Sequence, residues 1–312
     1  MKTLKLQIVI IALLLAYGSA NAQFGIRRAI EKQVEKQVEK SVDEAVSKEL
    51  DKAEQERKKG EEEAEKGLNK LAAEIEKAQK AQEEADAKVA GIPDEIPAVG
   101  NSPYTPSESE FAFFAMKKGT VQVFATKDAK GKITGQTRNT IKEITGAKNA
   151  FAINYEGEML DEKGKPANKD KPFIVTYRIV VKDGITYLDM KGMFGSIDGL
   201  DGVQVSGSSM KIPSNLTVGQ KLDDASAKVK IGFINCAAVM TEGKCIAIEN
   251  VTVEAGTFKS YKVSQKISTT VMGVKSENTN ITWYVKGVGA VKTEIYDDKG
   301  KLLSTQELIS SK

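Results

Sequence analysis

The sequence predicts a mainly β protein, α+β overall: a curved antiparallel sheet or half-barrel preceded by a long N-terminal charged helix. Three observations predict it. From Phe111 onward, apolar and polar residues alternate in short runs, and Gly- and Asp-rich turns close those runs at intervals of about ten residues. Residues 27–90 are dominated by Glu, Lys, Ala and Gln and hold no proline or aromatic side chain, which is a helix composition. Between the two, residues 91–110 carry Pro93, Pro97, Pro103 and Pro106, the mark of an extended linker.

The chain begins with a leader pattern. Lys2 and Lys5 precede an apolar run from Leu6 to Ala16, and Ala20-Asn21-Ala22 fits small-x-small cleavage. Residues 1–22 are therefore expected to be a signal peptide, the run being short of the roughly 20 residues of a membrane span. The chain after Ala22 starts Gln23-Phe24-Gly25, so no cysteine stands where a lipid anchor would attach. A periplasmic or secreted protein is expected, with residues 23–90 helical, 91–110 the linker and 111–312 the β domain.

Within 27–90 the tetrad EKQVEKQVEK places Ile30, Val34, Val38, Val42, Val46 and Leu50 four apart. Such a stripe advances about 40° per step around a helix and spirals instead of forming a seam. Ala64, Leu68, Leu71, Ile75 and Ala78 come nearer to a heptad. Two readings stand: a coiled-coil arm for homo-oligomerisation, and a solvated single helix. The mixed Glu and Lys polar face speaks against a membrane-surface helix.

In the β domain, Thr120–Thr126, Ile133–Ile144, Ala150–Leu160 and Phe173–Val181 read as strands, with Ile185–Met190 returning the last. The sequence D-x-K-G-K recurs at Asp128, Asp161 and Asp297. Lysines stand where a calcium loop needs oxygens, so these are hairpin turns and no metal site is expected. Residues 191–211 read as a long loop with apolar side chains tucked inward; the rival reading is a flap over an apolar cleft. Val251–Ser304 contains the closing strands, with Tyr261, Val263 and Ile267 on one face and Ile281, Trp283 and Val285 forming the next set.

Composition removes several function classes. The chain has no histidine, which excludes Ser-His-Asp and Cys-His catalysis and His-based zinc sites. Net charge is +3 with both signs interspersed, and arginine is scarce, so no nucleic-acid surface is expected. No nucleotide fingerprint is present and no cofactor is expected. The carboxylates Asp198 with Asp201, and Asp223 with Asp224, lack a paired base or oxyanion site, so no enzyme activity is expected. Cys236 and Cys245, eight residues between them, read as cross-strand partners of a hairpin. In an oxidising compartment they predict a disulfide contributing about 2–3 kcal/mol.

The elements MKKGTV after an aromatic cluster, IPSNLTVGQKLDDA, VEAGTFKSYKV and WYVKGVGAVKTEIYDDKGKLLS resemble a family of uncharacterised exported proteins of Gram-negative bacteria labelled TapB-like. That family is similar in architecture to the half-barrel lipoprotein carriers LolA and LolB. The resemblance, over about 113–308, implies a curved sheet with an apolar concave face that accepts acyl chains, or that is filled by Trp283, Phe258, Tyr261 and Phe233. On that basis the candidate ligand-binding residues are Trp283, Tyr261, Phe258 and Phe194. The expected function is an exported, non-catalytic binding protein for an apolar or lipid-like ligand; the alternative is a scaffold that oligomerises through residues 27–90.

Overall fold

The computed structural model describes residues 55–92, 96–107, 110, 112–166, 174–188, 204–231 and 234–312, of which 55–68, 231 and 234 are described in backbone only. The expected signal peptide (1–22), the first part of the charged block, Phe194 with residues 189–203, Asp198, Asp201 and Phe233 lie outside the described residues.

Among the described residues one helix, α1 (Gln55–Ala90), precedes thirteen strands. These are β1 (Val121–Asp128), β2 (Ile133–Ala147), β3 (Ala150–Leu160), β4 (Ile174–Lys182), β5 (Ile185–Leu188), β6 (Gln204–Gly207) and β7 (Met210–Pro213). The remainder are β8 (Ala225–Ile231), β9 (Ile234–Val253), β10 (Gly256–Val271), β11 (Val274–Val285), β12 (Gly289–Asp297) and β13 (Leu302–Ser311). They form one antiparallel sheet in the order β6-β8-β9-β10-β11-β12-β13-β1-β2-β3-β4-β5-β7.

The edges of this open sheet, β6 and β7, are consecutive in the chain and joined by Ser208 and Ser209 alone. Two residues span only about 7 Å even when extended. The sheet must therefore curl until its edges meet, and its concave side becomes an interior. Ser208 fixes the corner: its N–H donates to Ser226 O at 2.8 Å, and Ser226 N–H donates to Ser208 Oγ at 2.9 Å. Gly207 is required beside it, because at φ 128° an added Cβ would lie 2.3 Å from Ser226 O.

The alternation read from sequence becomes an inside and an outside. Ile141, Phe151, Ile153, Tyr155, Tyr177, Ile179, Ile212, Val229, Val263, Ile267 and Tyr284 belong to one large buried cluster within the curve. A second cluster forms where the tip of the β9–β10 hairpin packs on β11, β12, β13 and β1: Val251 and Val253 join Trp283, Val285, Val291, Leu308 and Phe124. The Ala255 N–H donates to Leu308 O at 3.2 Å and ties that tip down.

All three D-x-K-G-K segments are hairpin turns built alike. Asp128 Oδ1 accepts the N–H groups of Lys130 and Lys132, Asp161 Oδ1 those of Lys163 and Lys165, and Asp297 Oδ1 those of Lys299 and Lys301. The aspartate thus closes its own turn through an Asx-type interaction.

Two expectations need correction. Cys236 and Cys245 do not flank a hairpin: both lie in the single long strand β9, buried and with free thiols. Nine residues along a strand separate them by about 30 Å, whereas a disulfide needs Cα atoms within roughly 7 Å. Between the cysteines the strand runs on through an irregularity, with Glu242 at φ 54° and the β9–β10 register shifting nearby. The stretch around the proline-rich linker is likewise not free of the sheet. Pro103 bridges Thr145, and the Tyr104 N–H donates to Ile144 O at 2.9 Å.

Helix α1 lies against the sheet's outer face by its last turns. Ala85 and Val89 are buried with Ala237 and Val239 of β9. Asp86 pairs with Lys228 and accepts from Asn235 Nδ2 at 3.2 Å, while the Gly273 N–H donates to Gln82 Oε1 at 3.2 Å. Leu71 and Ile75, on the same helical face about two to three turns before Gln82, are 40% and 49% exposed.

Candidate functional site

The concave side is occupied by a short non-strand segment, Ala112–Met116, which runs from the linker toward β1. Ala112 and Phe113 are fully buried and Ala115 nearly so. The Gly287 N–H donates to Ala112 O at 2.8 Å, and the Tyr155 hydroxyl donates to Ala115 O at 2.9 Å. Phe113 presents its ring edge-on to Tyr261 and Tyr284, with centroids at 5.2 and 6.0 Å. Phe114 meets Tyr155 at 6.4 Å, and Tyr155 stacks on Tyr177 at 4.8 Å. The segment is a plug, and an aromatic cage holds it.

A latch precedes the plug. The Glu110 carboxylate is buried and accepts from the Tyr104 hydroxyl at 2.6 Å, from Ser107 N–H and Oγ at 2.8 and 3.0 Å, and from Asn149 N–H at 2.8 Å. Burial opposes its ionisation, but these donors prevail and hold the carboxyl at about 2. The same bond to Glu110 pushes the Tyr104 hydroxyl up to about 12.

Beneath the plug remains a cavity of about 60 Å³, lined by Gln122, Thr137, Asn139, Tyr177, Thr186, Thr282 and Tyr284 among others. Asn139 Oδ1 and Thr186 Oγ1 are buried there without a protein partner. The space suits a few waters and is well below the roughly 300–1,000 Å³ of a ligand pocket. On the outer side of the plug lies a larger, open cleft of about 680 Å³, walled by Tyr104, Pro106, Met116 and Ile144 and bordered by Lys117, Lys118 and Lys286.

The structure divides the sequence-predicted site residues. Tyr261 pairs with Tyr284 across β10–β11 and faces the interior, whereas Trp283 pairs with Lys262 on the opposite face. The Trp283 ring lies between Lys262 Nζ at 4.8 Å and Lys292 Nζ at 5.2 Å, and its Nε1–H donates to Glu249 Oε1 at 2.8 Å. That hydrogen bond and one from Lys262 keep the Glu249 carboxyl below the usual range. Phe258 packs into the cluster that holds Trp283. Of the four residues, the structure brings Tyr261 alone to the plug; Phe194 falls outside the described residues. Phe113, Tyr155, Tyr177 and Tyr284 were missed. The signal for Phe113 was the FAFF run beside the linker, which lies outside any strand alternation and so had no face to match; the three tyrosines lie within strands, where alternation does not say which face is inner.

The cysteines offer no reactive group. Burial alone pushes the Cys236 thiol up to about 12, and burial also raises Cys245. Among the described residues no cluster of acidic and thiol side chains could hold a metal ion, and no helix is long and apolar enough to cross a membrane.

Comparison with known proteins places the fold. The model of the DUF3108-like family matches residues 117–308, from the turn before β1 into β13. A crystal structure from Parabacteroides distasonis ATCC 8503, described as a lipoprotein, is similar at a TM-score of 0.55 and 22% identity, over 65% of this chain and 99% of that one. A second, from Bacteroides fragilis NCTC 9343, described as an exported protein with YmcC-like fold, is similar at 0.54 and 18% identity, over 64% of this chain and 98% of that one. No curated protein matches the chain.

Proposed function

The chain belongs to the DUF3108-like family, and from that premise we propose that it is an exported, non-catalytic binding protein that holds an apolar or lipid-like ligand in a half-barrel. The observation that carries the reading is the plug. Among the strand side chains of the interior sits a short piece of irregular chain, Ala112–Met116, with Phe113 fully buried between them. Strand side chains can leave only by unfolding the sheet. A segment held by its aromatic contacts and by bonds from Gly287 and Tyr155 can leave as a unit and free an aromatic-lined concavity. The descriptions of similar structures as a lipoprotein and an exported protein support the compartment, and the sequence resemblance to a family similar in architecture to the LolA and LolB carriers suggests the ligand class by analogy alone.

The test uses delipidated full-length protein and a fluorescent fatty-acid probe. Wild type is expected to bind it, and Phe113→Ala to bind it more tightly because the plug competes less. No binding by either protein, together with no lipid extractable from protein as purified, would sink the reading.

A second reading, a scaffold that associates through its helix, is favoured by the exposed Leu71 and Ile75. They continue the helical face that Ala78, Gln82, Ala85 and Val89 turn toward the sheet. Sedimentation of the whole protein would reveal it as an oligomer that Leu71→Gln with Ile75→Gln dissolves; a monomer at tens of micromolar would remove it.

A further inference from the structure

The cleft on the outer side of the plug has a chemistry of its own. Its walls are apolar or aromatic: Tyr104, Pro106, Met116 and Ile144. Its border is cationic, with Lys117 and Lys118 from the turn that leads into β1 and Lys286 from the turn that ends β11. Two elements far apart in sequence thus deliver their lysines to one opening.

One carboxylate, Glu110, stands beside this cleft. Its oxygens accept from Tyr104, Ser107 and Asn149, all neutral donors, and its single negative charge stands against three lysines at the opening. Lys286 leans its ammonium over the Tyr261 ring at 5.4 Å, the same ring whose edge contact anchors Phe113. The cleft also touches both ends of the plug, since Met116 is the plug's last residue and Gly287 bonds its first. A cleft of about 680 Å³ has the size of a small-molecule site.

We propose that this cleft binds the anionic head, carboxylate or phosphate, of an amphipathic ligand whose apolar part follows the plug's path into the interior. The proposal rests on the binding-protein reading for the tail, while the anion site stands on the cleft alone. Lysine suits the task as a flexible point charge that follows a head group as the tail moves inward. Three cations bordering one open cleft attract an anion in a way that weakens as salt rises.

The experiment compares laurate, dodecanol and inorganic phosphate on delipidated full-length protein by calorimetry at low and high salt. Each is measured with wild type and with the triple variant Lys117→Gln, Lys118→Gln, Lys286→Gln. These residues are exposed or half-buried, so the variant should keep its fold; an unchanged circular dichroism spectrum checks this. Laurate affinity is expected to fall about tenfold or more in the variant and on raising salt, with dodecanol unchanged. Phosphate binding that the variant loses also supports the anion site and marks a free anion as a ligand in its own right. Equal laurate affinity for the two proteins, with phosphate not bound, overturns the anion site while leaving the tail-binding reading intact. Phosphate binding without either lauryl compound keeps the anion site and overturns the tail reading.

Discussion

Trp283 and Tyr284 are neighbours in β11 whose side chains lie on opposite faces of the sheet. Tyr284 meets Phe113 in the interior at 6.0 Å, and Trp283 is sandwiched between Lys262 and Lys292 outside. The lone tryptophan is therefore a reporter of the outer face. Its emission is expected to stay unchanged when a fatty-acid probe binds, and Trp283→Phe should leave probe affinity within twofold. A quench that tracks probe binding would place the ligand on the other side of the sheet.

Phe113 is the plug's anchor, and it is fully buried. Replacing so large a buried ring by alanine costs about 3–5 kcal/mol when the site cannot collapse. Phe113→Ala should therefore lower the denaturant midpoint and raise binding of a hydrophobic dye in the native state. If stability drops while dye binding stays flat, the interior has closed over the gap and the segment is not a removable plug.

Glu110 makes the latch pH-dependent, with a definite sign. Its carboxyl is held at about 2, against a usual value of 4.5. The folded state therefore binds the proton less well than the unfolded chain. The stabilisation is complete above the usual value and is lost as pH falls from there toward 2. Unfolding followed at pH 6, 4 and 2.5 should show wild type weakening across that window. Glu110→Gln should start less stable and lack this part of the decline. Parallel curves for the two proteins would show that the latch contributes nothing.

Cys236 and Cys245 should both titrate as free thiols, since they lie far apart along β9. In native protein near neutral pH, alkylation is expected to be very slow at Cys236, whose thiol burial pushes up to about 12, and complete only after unfolding. A mass two protons below the reduced value, unchanged by alkylation in denaturant, would restore the disulfide.

Gly273 tests the seat of the helix. At φ 80° it approaches α1 so closely that an added Cβ would lie 2.3 Å from Ala78 O. Gly273→Val should release the last turns of α1, seen as faster amide exchange at Ala85 and Val89, with the strands still protected. The substitution should cost upward of about 2 kcal/mol, from strain in the backbone as well as the clash. Unchanged exchange in the helix would mean that it is seated by other contacts.

Much of the sheet was legible because strand signals are local. Ala150–Leu160 occupies the same residues in sequence and structure, and the three D-x-K-G-K turns close on their own aspartates within four residues. The cysteine hairpin failed for a non-local reason. The stretch between the cysteines reads as a turn, but pairing with β10 along nearly the whole length of β9 outweighs the local preference and carries the strand through it. The candidate site failed similarly. Alternation says that Trp283 and Tyr284 face opposite ways, and it does not say which way is in.

By itself the sequence determined the β class, most strand positions, the turn chemistry and the absence of histidine-based catalysis, all properties of residue type and short-range spacing. The tertiary structure decided the rest. Curling the sheet until β6 and β7 meet at Ser208–Ser209 chose the inner face, put Tyr261 and Tyr284 there and sent Trp283 outside. It also created the concavity that Phe113 fills and brought Lys117, Lys118 and Lys286 to its mouth. The pairing of β1 with β13 and the contacts of Phe113 with Tyr261 and Tyr284 join residues more than a hundred positions apart, which no local pattern records.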